Sequence, residues 1–190
     1  MGKKVLVFLA PGFEEVEAVT PVDFLRRAGV EVVIAALGED RSVTGSHGVA
    51  LMADTTLGEL ETAAKLKAAL WDGVFVPGGM PGSANLAACA PLGAFYQEMA
   101  AAGKITAAIC AAPAVFLAPL GLLAGKRFTC YPGMEKGIQG GAWSADPVVA
   151  DGRLITSRGP GTAAAFALAL INALAGPEKA KEIAAGALVA

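Results

Sequence analysis

Histidine is almost missing from this chain. Among 190 residues there is one, His47, in Gly45-Ser46-His47-Gly48. Chemistry that needs an imidazole base therefore has a single candidate. Cysteine is also scarce. The three present, Cys89, Cys110 and Cys130, are odd in number, and their spacing fits neither a disulfide framework nor a zinc site. A reducing cytoplasm is the expected location, with no metal and no cofactor. Charged residues make up 17%, the net charge is −2, and no basic patch stands out, so nucleic acid is not an expected partner. Hydrophobic residues reach 55% and the mean hydropathy is +0.56. Even so, no uncharged apolar run approaches the ~18 residues of a membrane span. The alanine-rich segment 163–175 begins at a capping Thr162 and stops at Gly176-Pro177, which reads as a buried helix. The apolar run Val5–Leu9 is too short for a signal-peptide core, and no small-residue cleavage site follows it.

What is present is an alternation of short apolar runs with helical patterns. Strands are expected at Val5–Leu9, Val30–Ala36, Gly73–Val76 and Ile105–Ile109, with short ones at Arg127–Tyr131, Val148–Ala150 and Leu154–Thr156. Asp40–Met52 reads as a hairpin or excursion carrying two short strands. Helices are expected over Glu14–Arg27, Leu57–Leu70, Leu86–Ala102 (broken at Pro91), from Ala112 to Leu117, Thr162–Ala175 and Glu178–Ala185. Such alternation predicts an α/β fold with a mostly parallel sheet covered on both faces, in one domain over 1–190.

In a sheet of this kind ligands bind beyond the carboxyl ends of the strands. The rule singles out Ala10-Pro11-Gly12-Phe13, Pro77-Gly78-Gly79-Met80, and Cys110 with Ala111. Cys110 ends the run Ile105–Ile109 and precedes a helix-compatible stretch. At such a corner a thiol facing a helix amino end should lose its proton more easily than a free one; a buried structural cysteine would carry the same local sequence. Gly78-Gly79 allows a positive φ and a close approach of backbone N–H groups, the makings of an oxyanion hole beside a nucleophile. An ordinary tight turn would look alike.

Three acids, Glu14, Glu15 and Glu17, fall in the first helical turn after the first of these loops. The helix dipole favours acids there, so capping accounts for at least one of them. Glu14 and Glu17 are three apart and share a face, whereas Glu15 points elsewhere. An inward glutamate beside Cys110 would be desolvated, its pKa raised, and it could then move protons.

Four motifs in order, Leu9–Glu17 (Leu-Ala-Pro-Gly-x-Glu-Glu-x-Glu), Val76–Gly79, Ala107–Pro113 (Ala-Ala-Ile-Cys-Ala-Ala-Pro) and Thr156–Thr162 (Thr-Ser-Arg-Gly-Pro-Gly-Thr), resemble the ThiJ/PfpI superfamily, in the branch of the Parkinson-disease protein deglycase and its bacterial relatives. The resemblance runs from about Lys4 to about Leu188. It implies a flavodoxin-like three-layer sandwich and a homodimer. It also implies roles by position: Cys110 as reactive cysteine, Glu17 as the protonated glutamate bonded to it, and Gly79 and Ala111 as oxyanion donors with Gly78 shaping the turn. Arg158 would sit near an anion site, and Asp23 would pair with arginines. Two positions depart from the best-known member. Tyr131 stands in place of a histidine near the cysteine and His47 in place of an arginine, which puts substrate and anion binding there on different side chains. His47 could titrate near neutrality; a lone loop histidine is also often simply solvated.

The scarcity of histidine then selects among the superfamily's chemistries. Its proteases place histidine directly after the nucleophile, where this chain has Ala111; its glutaminases place it well downstream, where this chain has none. Tyr131 is a poor base near pH 7, because a phenol titrates near 10. What the resemblance implies instead is a glyoxalase III-type or deglycase activity on small α-oxoaldehydes such as methylglyoxal, without cofactor. The alternative is redox sensing or chaperone-like protection through oxidation of Cys110. Cys89 reads as a helix packing residue.

Overall fold

The computed structural model describes residues 2–189. Its strands in chain order are β1 (Lys4–Leu9), β2 (Glu31–Ala36), β3 (Ser42–Thr44), β4 (Ala50–Met52), β5 (Thr55–Thr56), β6 (Gly73–Val76), β7 (Ile105–Ile109), β8 (Arg127–Phe128), β9 (Ala142–Trp143), β10 (Val148–Asp151) and β11 (Leu154–Ser157). Seven of them form one sheet in the order β10-β11-β7-β6-β1-β2-β5. All pairs in it are parallel except β10 with β11. β3 and β4 make a separate antiparallel hairpin, and β8 and β9 a small parallel pair.

The continuous apolar run of β1 follows from burial on both faces, since successive strand side chains point to opposite sides. Val5, Val7 and Leu9 enter one core, and Leu6 and Phe8 enter the other. The first core is closed by α1 (Glu15–Arg27), α5 (Ala163–Ala175) and α6 (Pro177–Gly186), with Phe75 of β6 meeting Phe166 of α5 edge-on at 5.9 Å. The second is closed by α2 (Leu57–Thr62), α3 (Gly82–Ala87) and α4 (Ala90–Ala101), where Tyr96 meets Phe116 edge-on at 4.7 Å. This is the expected three-layer, flavodoxin-like sandwich. Among the described residues no helix is long and apolar enough to cross a membrane.

Three expected helices differ. The pattern over Leu57–Leu70 yields only α2 and a 3₁₀ turn at Ala68–Leu70, with Ala64 at φ +53° between them. Tertiary bonds take over there: Trp71 Nε1 donates to the Lys65 carbonyl (2.9 Å), and the Ala68 N–H donates to the Glu98 carboxylate (2.9 Å). The break expected at Pro91 falls at Ala88–Cys89, and Pro91 lies in the first turn of α4, where its missing N–H costs no helical bond. After Cys110 the helix expected from Ala112 to Leu117 is present, but it is wound as a π-helix of five residues, Pro113–Leu117. Pro119 and Gly121 (φ +75°) follow and turn it away. Strands β5 and β9, two residues each, have too little sequence to carry a period.

The register brings the carboxyl ends together. Ser157 of β11 sits beside Ile109 of β7, and Ala108 beside Val76 of β6. The loops after β1, β6, β7 and β11 therefore leave the sheet at one edge.

Candidate active site

Cys110 caps β7 in a left-handed conformation, φ +65°. A non-glycine residue held there costs of order 1–3 kcal/mol and persists only where its surroundings fix it. Here both backbone groups are tied. The Cys110 N–H donates to the Ser157 carbonyl (2.9 Å), and the Tyr131 N–H donates to the Cys110 carbonyl (2.7 Å). The turn projects the side chain toward the Gly78–Gly79 loop and into contact with Glu17.

Gly78 is where these parts meet. A Cβ on it would lie 2.5 Å from Cys110 Cβ, 2.8 Å from Glu17 Oε2 and 2.9 Å from the Ile109 carbonyl, so only glycine fits. Its N–H donates to Glu17 Oε2 at 2.8 Å. That bond takes Gly78 out of the expected set of oxyanion donors and makes it the anchor of the glutamate. The N–H groups of Gly79 and Ala111 face the sulfur. Gly79 adopts φ +85°, with its Cα packed against Gly12 and Glu14. The loop after β1 closes the assembly, as the Glu14 N–H donates to the Gly78 carbonyl (3.0 Å) and the Gly82 N–H to the Gly12 carbonyl (3.2 Å).

Glu17 is fully buried, and its Oε1 has no hydrogen-bond partner. The Cys110 thiol lies beside the carboxyl group, close enough to shift both titrations, without directing a bond at Oε1. Burial raises the Glu17 pKa to about 7, against the pull of the Gly78 N–H and of Cys110, with a small further push from the Glu14 charge. The desolvated glutamate expected beside the thiol is thus in place. The thiol differs from expectation. Burial, then the Glu17 charge and contact, push Cys110 up to about 12, although the Gly79 and Ala111 N–H groups pull it down. The five-residue turn after it, with a proline at its start, is no substitute for a long helix dipole. Since the Glu17 charge is one cause of the rise, a proton on Glu17 removes that cause and leaves two N–H donors facing the sulfur.

The other acids have separate places. Glu14 is the N-cap of α1, its Oε2 accepting from the Glu17 N–H at 2.7 Å. Glu15 turns away from Glu17, toward the β3–β4 hairpin, and takes the His47 ring (Nδ1 to Oε2, 2.9 Å) and the His47 N–H (Oε1, 2.7 Å). His47 therefore bonds to an acid instead of standing free. Glu14, Glu15 and His47 are the one group among the described residues with potential ligand atoms within 4.8 Å of each other. Most of these atoms are already engaged with one another or with backbone N–H groups. Asp23 pairs with Arg27 Nε at 2.7 Å on an exposed face of α1. Arg158 donates to the Ala145 carbonyl at 3.0 Å. Tyr131 is half exposed, and its ring lies over Gly159, where a Cβ would come 3.6 Å from the ring and 3.9 Å from Glu17 Oε1. The packing glycine Gly159 and the Ser157 carbonyl were not picked out from the sequence. Cys130 is buried in the second core, on the other side of the sheet from Cys110.

The profile of the DJ-1/PfpI family matches residues 3–173. Protein dj-1beta of Drosophila melanogaster is 43% identical over 192 residues, covering 100% of this chain and 99% of its own length. Its crystal structure superposes with a TM-score of 0.91, at 42% identity and with all of both chains covered. The glutathione-independent glyoxalase DJR-1.2 of Caenorhabditis elegans is 36% identical over 184 residues, 95% of this chain and 94% of its own. Protein DJ-1 homolog B of Arabidopsis thaliana is 39% identical over 182 residues; the match takes in 95% of this chain but spans only 40% of that protein's length. The cysteine corner, the buried glutamate and the diglycine loop thus stand on a scaffold matched along nearly its whole length, and the chain belongs to the DJ-1/PfpI family.

Proposed function

We propose that this chain is a cofactor-independent glyoxalase, converting small α-oxoaldehydes such as methylglyoxal to 2-hydroxy acids through Cys110 and Glu17. The observation that carries the reading is the buried Glu17 carboxyl, raised to about 7 and set against the Cys110 thiol. A relative 36% identical bears the name of a glutathione-independent glyoxalase, which supports the same class.

The steps balance without an added oxidant or reductant. The sulfur adds to the aldehyde carbon, and its proton ends on the new oxygen, giving a hemithioacetal. Glu17 takes the C–H proton from that carbon, leaving an enediolate, and returns a proton to the neighbouring carbonyl carbon. The first carbon is oxidised to a thioester and the second reduced to an alcohol. Water hydrolyses the thioester, frees the thiol and releases lactate. The N–H groups of Gly79 and Ala111 face the sulfur, which supports a role for them in stabilising the oxygen anions. Protein deglycation would use the same first adduct. The test is lactate formation from methylglyoxal without glutathione: turnover by the wild type that is lost in Cys110→Ala supports the reading, and equal turnover by both proteins overturns it.

Homodimer formation belongs to the same reading. Val16, Val19, Val49 and Met52 are 44–70% exposed on α1 and the hairpin, and Val19 and Met52 line one hollow of about 180 Å³. A second copy would cover this apolar face.

Redox sensing at Cys110 is the second reading. The unpartnered Glu17 Oε1 favours it, since the protonated carboxyl could donate from that oxygen to a sulfenic or sulfinic oxygen on Cys110.

A further inference from the structure

Glu15 has no part in the chemistry above, yet its side chain, at the start of α1, is buried against the turn of the β3–β4 hairpin. Oε1 accepts from the His47 N–H (2.7 Å) and from the Val49 N–H (3.3 Å), and Oε2 bonds the His47 ring at 2.9 Å. The carboxyl group lies directly on Gly45, where a Cβ would come within 2.4 Å of its carbon. A side chain from α1 thus holds the turn of the β3–β4 hairpin at four points.

The hairpin in turn holds the loop of the site. Its Thr44 carbonyl accepts from the Gly12 N–H (2.9 Å), and its Ser46 N–H donates to the Phe13 carbonyl (2.7 Å). That loop bonds the Pro77–Gly82 segment through Glu14 to Gly78 and Gly82 to Gly12. Gly79 packs onto it with no room for a Cβ, 2.5 Å from the Glu14 nitrogen. The layers run outward from Cys110: the diglycine loop, the loop 12–14, the hairpin. Glu15 is the clasp on the outermost layer.

We propose that Glu15 is a positioning residue for the Cys110–Glu17 centre, clamping the β3–β4 hairpin onto the loop 12–14 so that Gly78 and Gly79 stay against the glutamate and the sulfur and water stays out. The proposal rests on the reading of Cys110 and Glu17 as the working pair. Glu15 acts through the hairpin and touches no substrate. Burial is the largest cause of the raised Glu17 pKa, and a loosened stack lets water reach that carboxyl and brings the pKa down.

The test is the Glu17 titration, read by carbon NMR of glutamate-labelled protein with Glu17→Gln to assign the signal. It is measured in the wild type, Glu15→Gln, Glu15→Ala and Gly45→Ala. Gly45→Ala keeps every charge and pushes a methyl group into the clasp, so it separates geometry from the loss of a nearby negative charge. The Glu17 pKa is expected to fall in Glu15→Ala and Gly45→Ala, and less in Glu15→Gln, which keeps an acceptor oxygen. With methylglyoxal, kcat is expected to drop roughly 10-fold in Glu15→Ala with KM within about 2-fold, the size of effect a small misplacement of reacting groups produces. A Glu17 pKa unmoved in the variants that fold overturns the proposal. Glu15→Gln and Gly45→Ala keep the test decisive if Glu15→Ala fails to fold. The titration needs no turnover, so a wild type inactive on methylglyoxal would sink the glyoxalase reading and leave this result standing.

Discussion

Glu17 gives one carboxylate oxygen to the Gly78 N–H at 2.8 Å and keeps the other, buried and unpartnered, in a site shared with Cys110. The half-satisfied carboxyl explains why burial outweighs the one good bond it receives. It also makes the proton on this residue the variable on which the thiol depends.

A stability trend with pH follows from that proton. The folded pKa lies near 7 against an unfolded 4.5, so the native state binds the extra proton between those values. The stability due to the neutral carboxyl is fully present below about pH 4.5 and is lost as pH rises through about 7. Glu17→Gln mimics the neutral form at every pH. Denaturant unfolding is expected to show the variant gaining on the wild type from pH 5 to pH 8, by up to about 3 kcal/mol. Parallel stability curves would contradict the raised pKa.

Gly78→Ala should damage the site from its centre. The added methyl has backbone on one side, the Ile109 carbonyl at 2.9 Å, and the two working side chains on the other. A cost of about 1–3 kcal/mol is expected from overpacking, read as a lowered thermal midpoint. Cys110 alkylation by iodoacetamide should change rate in the protein that remains folded. An unchanged midpoint and an unchanged alkylation rate would mean that the loop has room this structure does not give it.

His47 should titrate above its ordinary 6.5, because the Glu15 carboxylate bonds and faces its ring, with a further push from the Glu14 charge. Glu15 itself is pushed down to about 2: burial alone would raise it, but the bonds from the His47 ring, the His47 and Val49 N–H groups and its own backbone outweigh that. Proton NMR of the one imidazole checks this directly. In Glu15→Gln the value is expected to fall back toward 6.5; a value at or below 6.5 in the wild type would mean that the pair does not form in solution.

The apolar face on α1 and the hairpin carries a prediction of its own. Light scattering should give a mass near twice 19.0 kDa, and Val19→Glu should reduce it toward one chain. A wild type of single-chain mass would remove the dimer from the account.

The sheet and its loop cluster were legible because the strands announce themselves. Val5–Leu9 and Ile105–Ile109 are apolar at nearly every position, which is what burial on both faces requires, and the carboxyl-end rule then gathers Gly12, Gly78 and Cys110. Glu17 was legible as one of three acids, and the family motif singled it out. The thiol's titration was not, because it depends on burial and on the distance to Glu17, and no local pattern encodes either. The helix expected after Cys110 is there, but its π winding was not legible, and Pro119 and Gly121 keep it short. The diglycine alone could not tell the Gly78 N–H from that of Gly79; the family motif set Gly78 apart as the turn, but not its bond to a side chain 61 residues earlier. The partnership of Glu15 with His47 spans 32 residues and was invisible for the same reason.

The most direct test of the account is methylglyoxal turnover by Glu17→Gln, in protein whose fold and Cys110 alkylation have been verified. Loss of at least about 100-fold in kcat is expected, the range that general acid–base catalysis contributes. Lactate formed at the wild-type rate by this variant would contradict it.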